Sequence, residues 1–295
     1  MFNKFLNKKL IVITLILSLT MVTMAGCGSD DTADTDDTAK ETIEIGYVNW
    51  AECVAVSNIW KVLLEDEGYE VNLTQLDVAP LYVGLSEGDV DIFLDAWLPI
   101  TQGSYWDEYH DKIEDCGIWY QSPAKIGVVV PEYVDIDSLE EFNSVADKFG
   151  NEIIGIDPGA GIMKASETAF NDYDLDADLI QGSEAAMMVS MEKAYEDEEW
   201  IAITGWSPHW MFASYDLKYL EDPKASYGAE EGLHSLCNKE FAEGNAEVAN
   251  MIKSFKMTDP QIGSMEKLIQ DGMDPYEAAQ QWIGENQDVV DEWIK

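Results

Sequence analysis

Three tryptophans follow apolar, β-branched runs, and their placement is where chemistry is most legible in this chain. Ile201 to Thr204 is a short strand-like run, Gly205 ends it, and Trp206 follows. Ile43 to Val48 alternates as a strand does and leads into Asn49 and Trp50, while Val90 to Leu94 leads into Asp95, Ala96 and Trp97. Read as strands, all three runs deliver an indole to the carboxyl edge of a sheet. Ligands of open α/β folds collect at that edge. A single tryptophan after a strand is commonly core packing, but three on one edge form a box of aromatic faces. Such a box suits a quaternary ammonium.

An anionic group on the same ligand would have to be held without arginine. All 17 basic residues among the 295 are Lys, against 58 Asp plus Glu, for a formal charge of −41. The bidentate guanidinium fork is absent. Asp157-Pro158-Gly159-Ala160-Gly161-Ile162-Met163 offers a substitute, lying between a strand over Glu152 to Ile156 and a helix from about Lys164 to Tyr173. Backbone N–H groups at the positive end of a helix bind anions without a side-chain cation. By spacing alone the segment is a tight turn or an anion seat, and it is neither a P-loop nor a dinucleotide fingerprint. So acidic a chain excludes nucleic acid as a partner, since that contact needs basic surface.

The elements that must position these residues read as two rounds of alternating strand and helix. The first runs through Ile43 to Val48, a helix over Ala55 to Glu67, a strand over Tyr69 to Leu76, a helix over Pro80 to Glu87, and Val90 to Leu94. This order implies a parallel sheet. Lys125 to Val130 is a further strand, and Pro131 cannot extend a central ladder, so a crossing between lobes is expected there. The second round has helices over Ser138 to Phe149, Lys164 to Tyr173 and Ala185 to Tyr195, with Asp216 to Pro223 as the return crossing. Helices are expected over Ala246 to Phe255, Asp259 to Gln270, Pro275 to Ile283 and Gln287 to Ile294, with Trp60, Trp210, Trp282 and Trp293 in the core. The expected bodies are lobe I, residues 43–130 and 216–295, and lobe II, residues 131–215.

Cys53, Cys116 and Cys237 are odd in number and lack metal-like spacing, so one disulfide or three buried thiols are the readings. No metal or cofactor is expected. His110 and His234 read as surface histidines. Ser207 and His209 sit two apart in a proline-containing turn without the elbow of a hydrolase, so no enzyme is expected.

Residues 1–26 read as an address. Lys4, Lys8 and Lys9 precede an apolar stretch, Leu10 to Val22, shorter than the roughly 20 residues that span a bilayer. Met24-Ala25-Gly26-Cys27 closes it and resembles a bacterial lipoprotein signal, in which Cys27 is lipidated; an uncleaved anchor is the competing reading. Residues 27–42 would then be the lipidated cysteine and an acidic tether, placing the body on the extracytoplasmic face of the cell membrane.

Four segments together resemble the glycine betaine and proline betaine binding proteins of ATP-driven importers. They are Tyr47-Val48-Asn49-Trp50-Ala51-Glu52, Asp95-Ala96-Trp97-Leu98-Pro99, the glycine turn from Gly155 to Met163, and Thr204-Gly205-Trp206-Ser207-Pro208-His209-Trp210-Met211-Phe212. The resemblance covers nearly all of residues 43 to 295. It implies an α/β, two-lobed periplasmic-binding-protein-like fold of type II with the ligand in the cleft between lobes. It also implies a prism of Trp50, Trp97 and Trp206 around a trimethylammonium, with Gly161 and Ile162 amides on the carboxylate. The implied partners are a small zwitterion such as glycine betaine or proline betaine and an ABC permease subunit. Some members place a histidine where this chain has Gln102, so Gln102 is the expected second carboxylate contact, a neutral amide in place of an imidazole. A choline or carnitine binder, with Glu52 or Asp95 as acidic neighbours, stays open beside this reading, as does a secreted choline-ester hydrolase using Ser207.

Overall fold

A computed structural model describes residues 42–295; the signal segment, Cys27 and the acidic tether lie outside the described residues. The first round of alternation is β1 (Thr42–Tyr47), α1 (Ala51–Asp66), β2 (Glu70–Gln75), α2 (Val78–Glu87) and β3 (Ile92–Leu98). As the order implies, β1 pairs in parallel with both β2 and β3. After α3 (Gly103–Tyr109) come β4 (Ile113–Ile118) and β5 (Lys125–Pro131). The second round is β6 (Glu152–Ile154), α4 (Gly161–Tyr173), β7 (Asp178–Ile180), α5 (Glu184–Glu196) and β8 (Ile203–Ser207). Then follow α6 (Met211–Ser214), β9 (Leu217–Tyr219) and β10 (Gly232–Asn238). The chain closes with α7 (Lys239–Gly244), α8 (Ala246–Ser254), α9 (Asp259–Gln270), α10 (Pro275–Glu285) and α11 (Gln287–Val290).

Two five-stranded sheets result, ordered β2-β1-β3-β10-β4 and β7-β6-β8-β5-β9. Each is a parallel trio extended by an antiparallel strand from another part of the chain: β10 lies against β3, and β5 against β8. This is the two-lobed α/β architecture, with one sheet per lobe.

The lobe boundaries differ from expectation. Lys125–Pro131 pairs with β8 and β9 in the second sheet, and Leu217–Tyr219 joins it there. The chain therefore crosses before Lys125 and returns after Tyr219, and the two passages meet at the bridge Ala124–Glu231. Pro131 is tolerated as the last residue of its strand, opposite Leu217. An apolar run reads alike in either sheet, so periodicity could not assign it.

Residues 138–149 form two short 3-10 helices instead of one α-helix. Ser144 Oγ donates back to the Glu141 carbonyl at 2.7 Å and Asn143 Nδ2 to the Asp174 carbonyl at 2.8 Å, local and long-range bonds that compete with an α ladder. The segment over 216–238 contains two strands, where only a crossing over Asp216 to Pro223 was expected. Polar His234 and Ser235 hide the strand pattern of β10.

In the first lobe α1 packs on α9 and α10, and Trp60, Phe255, Trp282 and Trp293 form a buried aromatic stack. Trp210 is only half-buried. Cys53, Cys116 and Cys237 are buried free thiols, with the sulfurs of Cys116 and Cys237 at 3.3 Å. His110 is exposed, whereas His234 Nδ1 lies 3.0 Å from the Asp115 carboxylate across β10 and β4. Among the described residues no helix is long and apolar enough to cross a membrane.

Candidate functional site

The three strand-end tryptophans converge. Trp50 caps the N-terminus of α1, while Trp97 and Trp206 are the last residues but one of β3 and β8. All three are buried, at 5%, 3% and 3% exposure. They line one small cavity together with Glu52, Thr101 and Ile126. Its remaining wall is Ile156, Ala160, Gly161 and Ile162, from the glycine turn and the start of α4. The cavity thus lies where the two lobes meet.

Each indole N–H donates to a carboxylate. Trp206 reaches Glu52 at 2.9 Å, Trp97 reaches Asp95 at 3.2 Å and Trp50 reaches Asp157 at 3.4 Å. An acceptor on the ring's positive edge fixes the ring plane, and its negative charge adds to the field that a cation meets at the π-face. The Trp206 and Trp50 bonds run between lobes. The Trp97 bond lies within the first lobe.

Helix α4 starts at Gly161, so the amides of Gly161 and Ile162 belong to its first turn and have no intrahelical acceptor. A side chain at Gly161 could not fit: a Cβ there would lie 2.2 Å from the carbonyl oxygen of Thr101 in the other lobe. Thr101 itself is held by Glu231, which accepts from the Ile100 and Thr101 amides at 2.9 and 3.0 Å and from the Thr101 hydroxyl.

Two further bonds clamp the lobes. The Ala51 amide, in the first turn of α1, donates to Glu184 at 3.0 Å, and the Tyr105 hydroxyl donates to the Gly159 carbonyl at 3.2 Å. The other Glu184 oxygen accepts from His209 Nε2 at 3.1 Å, because His209 Nδ1 accepts the Met211 amide and the proton must sit on Nε2.

Behind the rings lies an acidic group without a nearby lysine partner. Burial pushes Glu52 well above the usual carboxylate range; Asp95, Glu184 and Glu266 add to this, and the Trp206 N–H opposes it. Burial raises Asp95 to about 8 against the pull of the Trp97 N–H, with Glu184 adding. Glu266 is likewise raised, by burial first and then by Glu184 and Asp95. Glu52 Oε1, Asp95 Oδ2 and both Glu266 oxygens lack a partner in hydrogen-bonding geometry.

This geometry is matched by a known family, the substrate binding domain of the ABC-type glycine betaine transport system, over residues 41–285. The chain belongs to that family. It is 42% identical over 144 residues to the glycine betaine/carnitine transport binding protein GbuC of Listeria monocytogenes, a match covering 48% of each chain. The matched part spans about half the length of that relative. Among solved structures it is similar to lactococcal OpuAC in its closed-liganded conformation complexed with glycine betaine. There the identity is 37% and the TM-score 0.82, with 87% of this chain and 100% of that one covered. It is also similar to the glycine betaine/L-proline binding protein ProX of Borrelia burgdorferi, at 32% identity and TM-score 0.82, covering 86% of this chain and 97% of that one.

As a member of this family the chain brings Trp50, Trp97, Trp206, Gly161 and Ile162 to one cavity. It does not bring Gln102 there. Gln102 is fully buried behind the wall, its carbonyl accepting from the Tyr82 hydroxyl at 2.9 Å and its amide donating to the Asp95 carbonyl at 3.4 Å. Thr101 lines the cavity instead. The correction has a simple cause: the chain turns after Pro99, and a turn does not reveal which of two neighbouring residues points inward. Glu184 was also missed, because nothing in its own helix marks a residue that contacts the other lobe. Ser207 and His209 do not pair: Ser207 Oγ is 2.9 Å from the Tyr219 hydroxyl and both His209 nitrogens are engaged elsewhere. Among the described residues no group of three or more His, Cys, Asp or Glu could hold a metal ion.

Proposed function

We propose that this protein captures glycine betaine, or a closely related quaternary-ammonium zwitterion, between its lobes and delivers it to an ABC permease. The observation that carries this reading is one cavity walled by three indoles and by the first turn of α4. Trp50, Trp97 and Trp206 are assigned to the methylated cation, and the Gly161 and Ile162 amides to the carboxylate. Thr101 shapes the wall beside them, its amide and hydroxyl both committed to Glu231, and Gln102 supports Trp97 from behind through the Asp95 backbone carbonyl. Three desolvated cation–π contacts supply about 3–6 kcal/mol, and micromolar binding needs about 8 kcal/mol. The amide bonds and buried methyl groups supply the difference, less the cost of closure. Ligand bridging favours the closed form, which the permease receives.

The body is proposed to sit outside the cytoplasmic membrane, tethered through lipidated Cys27. Choline or carnitine is the second reading, and the unpartnered Glu52 Oε1 at the cavity favours it, since that oxygen can accept from a hydroxyl. Calorimetric titration with glycine betaine, proline betaine, carnitine and choline tests both. Tightest binding of a betaine supports the first reading; tightest binding of choline replaces it with the second; no binding of any of the four overturns both.

A further inference from the structure

The group behind the cage is unusual in where its charges come from. Glu52 is on α1, Asp95 on β3, Glu184 on α5 and Glu266 on α9, so both lobes contribute. Glu52 and Asp95 are fully buried, and each has one oxygen bonded to a cage indole; Glu52 Oε1 has no partner, while the Cys53 thiol and Tyr82 face Asp95. Glu52 also lines the cavity itself. The groups that face it are Asp95, Glu184 and Glu266, with Trp206 donating and Cys53 beside it on its own helix. His209 contacts the group only through Glu184. None of these supplies a positive charge directly to Glu52 or Asp95.

Two adjacent anions without a counter-charge in a dry site are strongly disfavoured, and a proton on one of them is the cheapest remedy. A quaternary ammonium has no proton to give or share. Seated in the cavity that Glu52 lines, against indoles whose N–H groups bond Glu52 and Asp95, it brings a fixed positive charge that does what the proton did.

We infer that binding of a quaternary ammonium in the tryptophan-lined cavity expels a proton from the Glu52–Asp95 pair to the solvent. The O–H bond of one carboxyl group breaks, the electron pair stays on its oxygen, and the proton passes to buffer while the ligand's charge takes its place. The inference rests on the binding reading above and adds proton linkage to it. The sign follows directly. The empty site holds the proton to higher pH than the filled site, so affinity rises with pH across the window between the two states. That window includes the region near pH 8 where Asp95 titrates.

The test is titration calorimetry of the intact binding domain with glycine betaine, in buffers of different ionisation enthalpy, over a pH series up to that region. A plot of observed enthalpy against buffer ionisation enthalpy gives the protons released per ligand. The expected result is a fractional release approaching one proton, with Kd falling by up to about tenfold per pH unit where release is complete. Glu52→Gln and Asp95→Asn, each checked for folding by circular dichroism, should each lower the release. Binding with zero release in the wild type across the series overturns the inference while leaving the binding reading intact. Release that persists unchanged in both folded variants also overturns it, since the proton then comes from elsewhere. Failure of glycine betaine to bind at all overturns the reading beneath it, and the inference with it.

Discussion

The two lobes repeat one device with opposite outcomes. In each, the middle strand of the parallel trio runs into a helix whose first turn faces the other lobe: β1 into α1, and β6 into α4. In each, the neighbouring parallel strand has a tryptophan as its last residue but one, Trp97 in β3 and Trp206 in β8. Yet α1 opens with Trp50 and gives its first amide to a carboxylate of the protein, Glu184 of the opposite lobe. α4 opens with Gly161, whose close approach to Thr101 leaves its amide at the cavity wall. One helix N-terminus is therefore a latch and the other is available to a ligand anion. The same positive end of a helix dipole bonds the opposite lobe in one case and, in the proposed function, meets the ligand's carboxylate in the other.

The tryptophans divide in the same way. Trp97 is braced by Asp95 within its own lobe, whereas Trp206 and Trp50 are braced by carboxylates of the opposite lobe. The first lobe thus braces one ring by itself, and the other two are braced only where the lobes meet.

The largest effect that would break this contrast is expected from Trp206→Ala. It removes a π-face and leaves Glu52 without its donor, so glycine betaine should bind about 100-fold more weakly, roughly 3 kcal/mol from one lost cation–π contact and one orphaned buried carboxylate. An unchanged titration would remove Trp206 from the site. Gly161→Ala should come next. Its methyl group meets the Thr101 carbonyl, so closure is obstructed and affinity should fall about 10- to 100-fold, the equivalent of overpacking by roughly 1–3 kcal/mol. Equal affinity would show that the lobes approach less closely at this point than described.

Glu184→Gln removes charge from the latch but keeps its hydrogen-bonding shape. Binding should weaken by about threefold to tenfold, chiefly through faster ligand dissociation measured by stopped-flow fluorescence. A pH series sharpens the picture of the acidic group. Burial holds Glu52, Asp95 and Glu266 above the usual carboxylate range, so the folded state binds more protons than the unfolded chain, whose carboxyls titrate near about pH 4. The stabilisation is full below that value and is lost as pH rises through the folded values, including about 8 for Asp95. The ligand-free melting temperature should therefore fall by several degrees across that range, and Glu52→Gln should flatten the slope. The smallest effect is expected from Gln102→His, which should leave affinity within about threefold because the residue lies behind the wall. A clear tightening would return that position to the ligand.

Much of this was legible without coordinates. The alternating run of β1 and the apolar runs of β3 and β8 announced strands, and Gly161 was legible at a strand-to-helix turn, because the periods of two and 3.6 residues and the demands of a turn are local properties of the chain. The absence of arginine likewise excluded a guanidinium clamp on any bound carboxylate. The tertiary structure alone decided which acids stand behind which rings. Glu52 and Trp206 are 154 residues apart, Ala51 and Glu184 are 133 apart, and Trp50 and Asp157 are 107 apart. It also decided that Lys125–Pro131 belongs to the second sheet and that Thr101, not its neighbour Gln102, faces the cavity. Such pairings depend on how two independently patterned lobes meet, and each lobe's pattern is satisfied before they do.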